Sequence, residues 1–279
     1  MRRTILLFLL VFTAGIVTFG QDGRYWSESY GNQSVLLNGS VNGGVSDLGA
    51  VFYNPARVSW LTTNAFVVSA RIYELSIVTV EDGITDNKDL KVKNFGNAPS
   101  LVAGSFTLPF LKDHHFAVSF LTRQKTQADF TVSAQKEGDL IDQTPGEELV
   151  RTDENFKIGF REEWLGLTWS YAFSEKFGVG ISNFFSFINK GSFTELDINS
   201  LDENNRLASL QLNRSLRYRS AGALWKLGST LDLGGITMGL TVTTPRVKFS
   251  GQGSASIGDY LVNVDQTGNG EPDDVFISY

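Results

Sequence analysis

The chain has 279 residues, 24 Lys+Arg against 30 Asp+Glu for a formal net charge of −6, and no cysteine. Zero Cys excludes a disulfide scaffold, a thiolate metal cluster, a cysteine nucleophile and a lipidated-cysteine anchor; an acidic balance with no Lys/Arg block excludes nucleic acid as the partner. At 42% hydrophobic, the chain is not a bundle of membrane-spanning helices, and 28 Gly with 21 Phe hint at strands and close backbone approaches.

Arg2 and Arg3 precede an apolar run from Ile5 to Val17, and Thr18-Phe19-Gly20 is a small-residue exit before Gln21. This order of positive start, apolar stretch and cleavage site is that of a secretory signal peptide over residues 1–20. The run is shorter than the ~20 residues a transmembrane helix needs. The mature chain is therefore expected to be an exported soluble protein or an outer-membrane barrel.

Residues 21–63 read as turns rather than strands: Tyr30-Gly31-Asn32, Asn38-Gly39-Ser40 and Asn42-Gly43-Gly44 lead to Gly49-Ala50-Val51-Phe52-Tyr53-Asn54-Pro55-Ala56-Arg57. The segment is too glycine-rich for a stable helix. Its apolar Val35, Leu36, Val41, Val45 and Leu48 oppose a disordered leader. Small residues pack closely in a confined space, so a plug inside a barrel is the expectation.

From residue 64 onward the chain alternates with period 2, the signature of two-faced strands. Phe66, Val68 and Ala70 alternate with Val67, Ser69 and Arg71; Phe116, Val118 and Phe120 alternate with Ala117 and Ser119. Leu165, Leu167, Trp169, Tyr171 and Phe173 oppose Gly166, Thr168, Ser170 and Ala172, and Phe177, Val179 and Ile181 oppose Gly178, Gly180 and Ser182. Ala221 to Leu227 and Ile236 to Val242 repeat the pattern. One face is large and apolar, the other small and polar.

Tight connections are expected at 111–114, 174–176 and 232–235, and long polar loops at 81–97, 125–155, 190–216 and from Gly251 onward. Alternating short and long connections, with apolar-out strands, are the grammar of an outer-membrane barrel. Trp164, Trp169, Tyr171, Phe173 and Phe177 fit its interfacial aromatic girdle. The expected fold is all-β: an antiparallel transmembrane outer-membrane β-barrel over 64–279 with an N-terminal plug. About seven strands and the start of an eighth at Val275 to Tyr279 are read, so the barrel is expected to be incomplete or small.

The block ending in Phe52-Tyr53-Asn54-Pro55-Ala56, with Asn97-Ala98-Pro99, the Phe116 to Ser119 strand, the Trp164 to Ser186 hairpin and Val247-Lys248-Phe249-Ser250-Gly251, resembles the FadL-type long-chain fatty acid transporters of bacterial outer membranes. It departs from them at Arg57, where a neutral residue commonly follows Asn-Pro-Ala. The resemblance covers the N-terminal part of that family's domain, about half of a fourteen-stranded barrel. It implies a hatch inside the barrel, hydrophobic ligands such as long-chain fatty acids, outer-membrane lipid around the wall, and no cofactor or enzymatic activity. Relatives of this type also serve protein secretion, and a general porin is a third possibility that the plug opposes.

Under that resemblance Asn54, Pro55 and Ala56 hold the hatch to the wall, although a purely structural turn explains them equally. Arg71 and Lys226 share the small or polar face of their strands. Pro245 marks a bulge, after which Arg246 and Lys248 turn inward. These four cations are candidate contacts for a fatty carboxylate, the alternative being solvated pore charges. Phe184 and Ile188 line a greasy conduit or pack on the plug. The segment 38–46 is the expected moving part of the hatch, lacking side-chain packing. The acidic run from Asp265 to Asp274 has oxygen donors at alternating positions but no bidentate Glu at its twelfth position, so an acidic loop is preferred to calcium. His114 and His115 are adjacent and point oppositely on a strand, a poor joint metal site.

Overall fold

The computed structural model describes residues 29–279 except 37–40, 62–63, 86–87, 140–145, 266, 268 and 270. The signal-peptide reading at 1–20 lies outside these residues. Two short helices, α1 (Asn32–Leu36) and α2 (Ala50–Tyr53), and a 3-10 turn over Pro55–Trp60 precede nine strands. These are β1 (Phe66–Thr85), β2 (Lys88–Leu108), β3 (Leu111–Gly138), β4 (Glu148–Ala172), β5 (Phe177–Leu201), β6 (Leu207–Asp232), β7 (Thr237–Thr243), β8 (Val247–Val262) and β9 (Val275–Ser278).

All pairings are antiparallel, and β1 to β6 follow one another in an up-and-down meander. β7 and β8 pair successive stretches of β6, so they are two halves of one strand interrupted at Thr244, Pro245 and Arg246. Pro245 has no N–H to give the ladder. The break is spanned by Thr244, whose N–H donates to the Trp225 carbonyl at 2.9 Å and whose Oγ1 accepts from the Trp225 N–H at 3.0 Å. The sheet is not closed: β1 forms one edge, and β7, β8 and the short β9 together form the other, β9 covering only Gly258 to Leu261 of β8.

The alternating faces separate as their chemistry demands. Gly166, Thr168, Ser170, Gly178, Gly180 and Ser182 are buried, while Leu167 is 54% and Leu240 66% exposed on the other face. The core lies between the sheet's small-residue face and the segment 30–58, with Tyr30, Val45, Val51, Phe52 and Tyr53 packed on Leu101, Leu121, Trp164, Phe184 and Leu224. Four-residue α2 contacts β4, β5, β6 and β7, and Tyr30 beside it bonds β3. A flat sheet with strands ~4.8 Å apart cannot bring so many to one short helix, so the sheet wraps around it.

Most described residues of the expected long loops at 81–97, 125–155 and 190–216 are strand instead, the exceptions being 139, 146–147 and 202–206, and the loop expected from Gly251 onward is strand as far as Val262. Lys190 pairs Tyr218, and the ladder continues without a break to Leu201 opposite Leu207; Lys125 pairs Arg161 and continues to Gly138 opposite Glu148. These extensions mix polar and apolar residues on both faces, so the alternation that reveals a strand vanishes while its main-chain hydrogen bonds persist. The first tight turn also falls at Pro109 and Phe110, before the expected 111–114.

Candidate functional site

Asn54 is fully buried and is the main tie between the described residues of the N-terminal segment 29–61, labelled the plug from here on, and the sheet it packs on, labelled the wall. Its Nδ2 donates to the carbonyls of Asn42 (2.8 Å) and Ser229 (3.0 Å) and to Thr230 Oγ1 (3.0 Å). Its Oδ1 accepts from the Ala56 N–H at 3.1 Å, capping the 3-10 turn that Pro55 begins. Asn54, Pro55 and Ala56 approach the wall so closely that only glycine fits opposite. A Cβ at Gly228 would strike Asn54 Oδ1 and come within 2.7 Å of Pro55, and one at Gly180 would lie 2.6 Å from the Ala56 nitrogen.

Wall hydroxyls satisfy the plug's backbone. Ser170 Oγ donates to the Ala56 carbonyl (2.8 Å) and accepts from the Ser59 N–H (3.1 Å). Ser182 donates to the Val51 carbonyl (2.9 Å) and Thr241 to that of Tyr53 (2.9 Å). The small face of the strands is thus a hydrogen-bonding surface matched to the carbonyls at the ends of these short elements. Arg57, the position that departs from the resembling family, donates through Nε to the Val45 carbonyl at 2.9 Å and lies 5.0 Å from the Trp60 ring.

Above the plug the inner face carries a band of charge and aromatic rings. Lys226, 8% exposed, donates to the Phe52 carbonyl and stands 3.7 Å from the centroid of the Phe52 ring. Arg123 reaches the same ring at 5.8 Å and Trp164 at 5.9 Å. Arg246 donates to Ser186 Oγ (3.0 Å) and Ser220 Oγ (3.0 Å), and Ser186 Oγ donates to Glu162 Oε1 (2.9 Å), which also accepts from Trp164 Nε1 (2.7 Å). Lys248 is exposed on the same face, 5.3 Å from the Tyr218 ring.

Of the four cations singled out from sequence, Lys226, Arg246 and Lys248 share this inner face. Arg71 of β1 pairs Ala98 of β2, but its side chain is not among those described. Lys226 is engaged by Phe52 of the N-terminal segment, through both its carbonyl and its ring. Arg123 and Glu162 are members that sequence reasoning missed. Glu162 was accessible by carrying the inward phase of Gly166 back through Trp164. Arg123 was not, because a register shift between Thr122 and Gln124 takes it out of the ladder.

Trp164 is not an outer girdle residue: it is buried inward, 5.0 Å from the fully buried Phe184 and 6.0 Å from Phe52. Phe184 is accordingly packed against the ring that rests on the plug, while Ile188 is half-buried. Segment 41–46 is not loose either, with Val41 and Val45 buried and Gly43 laid against Thr237 of β7; residues 38–40 lie outside the described residues. In the acidic loop, Asp265, Asn269 and Asp273 oxygens accept backbone N–H groups. Among the described residues no group of three potential metal ligands occurs. His114 Nδ1 accepts from Trp169 Nε1 at 2.8 Å on the outer face, opposite Tyr171, while His115 pairs Ser170.

No protein-family model matches the chain, and no curated protein or solved structure is significantly similar to it.

Proposed function

We propose that this sheet is the wall of an outer-membrane β-barrel, plugged by residues 29–61, through which long-chain fatty acids or comparable hydrophobic molecules pass. The observation that carries the reading is the outer apolar belt on a sheet whose small inner face is bonded to a plug. In β4 the belt runs from Leu165 to Phe173, about nine residues, the length of one tilted transmembrane strand. An exposed apolar face of this extent is unfavourable in water and favourable in lipid. Closure belongs to the proposal, because in lipid the free main-chain rows of β1 and, at belt height on the other side, β7 require partners. The short turns at 109–110, 173–176 and 233–236 face the periplasm and the extensions stand outside the cell.

The inner cations and the rings of Phe52 and Trp164 suit an amphiphile with an anionic head and an apolar tail. Each CH₂ kept from water contributes about 0.8 kcal/mol, so an apolar path past the plug is preferable to a wet pore. The protein is a transporter in this reading, not an enzyme. The test is oleate uptake in a strain lacking the gene, with and without the full chain restored, together with outer-membrane fractionation. Uptake that depends on the protein supports the reading; normal uptake without it overturns the substrate.

One observation favours a second reading, a scaffold of a protein secretion system: β3 to β6 are 25 to 28 residues long and extend far past the belt. A secretion defect with normal oleate uptake in the same strain would select it.

A further inference from the structure

On the outer face, just above the apolar belt, Gly159 of β4 lies directly opposite Gly191 of β5. A Cβ at Gly159 would meet nothing within 4 Å, and one at Gly191 only the Leu216 carbonyl at 3.9 Å. The pair is therefore a bare patch of backbone with open space above it. Cations surround it by register: Arg161 opposite Asn189 one pair below, Lys157 opposite Phe193 one pair above, and Arg217 opposite Gly191 with Arg219 opposite Asn189 on β6. Cross-strand partners share a face, so all four stand on the outer side, and all four are exposed. Directly beneath opens a groove of about 440 Å³ lined by Arg161, Glu163, Phe187, Asn189, Arg219 and Gln252 among others.

Two carboxylates face this group. Glu163 lies 3.5 Å from Arg161 and Asp129 3.6 Å from Lys157, both pairs solvent-exposed. Exposed ion pairs of this kind contribute little and exchange readily for a better anion. No carboxylate is paired with Arg217 or Arg219 across the ladder, where the opposing residues are Gly191 and Ser254, Asn189 and Gln252. Guanidinium groups bind phosphate oxygens bidentately. The belt residues Phe187, Phe185 and Leu165 continue downward from the same site.

We propose that this outer patch binds the phosphorylated headgroup of a multiply acylated membrane lipid, phosphate on Arg217, Arg219 and Arg161 over the glycine pair and acyl chains along Phe185, Phe187 and Leu165. The proposal rests on the membrane-wall reading and adds a specific lipid to it. A free phosphate lacks the apolar contacts, and a peptide or second copy has no reason to need cations immediately above an acyl-height belt.

The experiment uses the full chain in phosphatidylcholine nanodiscs with diphosphorylated lipid A as the probe, binding being read by native mass spectrometry. Each cation near an anionic headgroup contributes about a fivefold factor, so the Arg217→Gln/Arg219→Gln variant is expected to bind lipid A about 25-fold more weakly. Arg151→Gln, on the same face but far above the belt, should bind like the parent chain, and millimolar inorganic phosphate should not displace the lipid. Equal binding by parent and double variant overturns the lipid site while leaving the membrane wall intact. Displacement by phosphate alone overturns the lipid as occupant. A chain that stays out of the bilayer overturns the wall reading and the lipid site with it.

Discussion

The ammonium of Lys226 stands 3.7 Å from the centroid of the Phe52 ring and donates to that residue's own carbonyl. One wall side chain thereby satisfies the end of α2 and covers the ring next to it. A buried lysine is tolerated there because a carbonyl and a π face replace water. Replacing it tests how firmly the plug is held. Lys226→Met should leave the Phe52 carbonyl without its donor and cost about 2–3 kcal/mol of plug attachment. Amide exchange of residues 50–53 should quicken, while the strand amides of β4 and β5 keep their protection.

Asn54 separates hydrogen bonding from shape. Asn54→Ala removes the donors to Asn42, Ser229 and Thr230 and should lower the unfolding midpoint by an amount corresponding to roughly 1–3 kcal/mol. Asn54→Asp keeps the shape but turns a buried donor into an acceptor facing two carbonyls, so it should be the more damaging change at neutral pH. Thermal melts of both variants decide; an aspartate better tolerated than alanine would refute the assigned orientation of the amide.

The glycine floor makes a steric prediction. Gly228→Ala and Gly180→Ala push a methyl into Asn54 and Pro55, and overpacking of this kind costs about 1–3 kcal/mol. Gly235→Ala, where a Cβ meets nothing within 4 Å, should be neutral. Protease resistance of residues 41–61 in the three purified variants provides the comparison.

Polar strand extensions in place of long loops change what a protease can reach. If the extensions stand outside the cell as proposed, trypsin on intact cells should cut after Arg206, in the turn between β5 and β6, and spare Lys190 and Arg217, which are held in the ladder. Asp202 clamps that turn, accepting from the N–H groups of Asn204 (2.9 Å) and Arg206 (2.7 Å) and from Arg206 Nε (2.8 Å); Asp202→Ala should speed the cut. The Arg206 N–H is the main cause holding this carboxyl below its usual value. The clamp is therefore intact above the unfolded carboxyl's pKa near 4 and is lost as pH falls through the lower folded value. A pH titration of the Arg206 amide shift should give a midpoint below 3.8, the ordinary aspartate value.

If the inner cations hold a carboxylate, Arg246→Met should reduce oleate uptake several-fold while leaving uptake of a fatty alcohol of equal length unchanged. Arg246 binds Ser186 and Ser220 without supporting the plug directly, so plug protection should also be unchanged. Equal loss for both ligands would assign the residue to wall structure.

The sequence by itself determined the phase of the strands. Leu165, Leu167 and Phe173 against Gly166, Thr168 and Ser170 state which side meets apolar surroundings, and the structure exposes and buries them accordingly. It also determined the turn near Ser174 and the interruption at Pro245, where local backbone chemistry suffices. Tertiary structure alone decided how far the strands run. Residues 190–201 mix polar and apolar side chains on both faces, and the partner strands 149–160 and 207–218 hold them extended. It alone decided that Trp164 turns inward onto Phe52, that Arg123 leaves the ladder at a register shift, and that Asn54 meets Ser229, 175 residues away. Periodicity records the difference between two environments along one segment; it carries no record of which distant backbone approaches a glycine. That is why the plug's anchors appear only when the wall is wrapped around it.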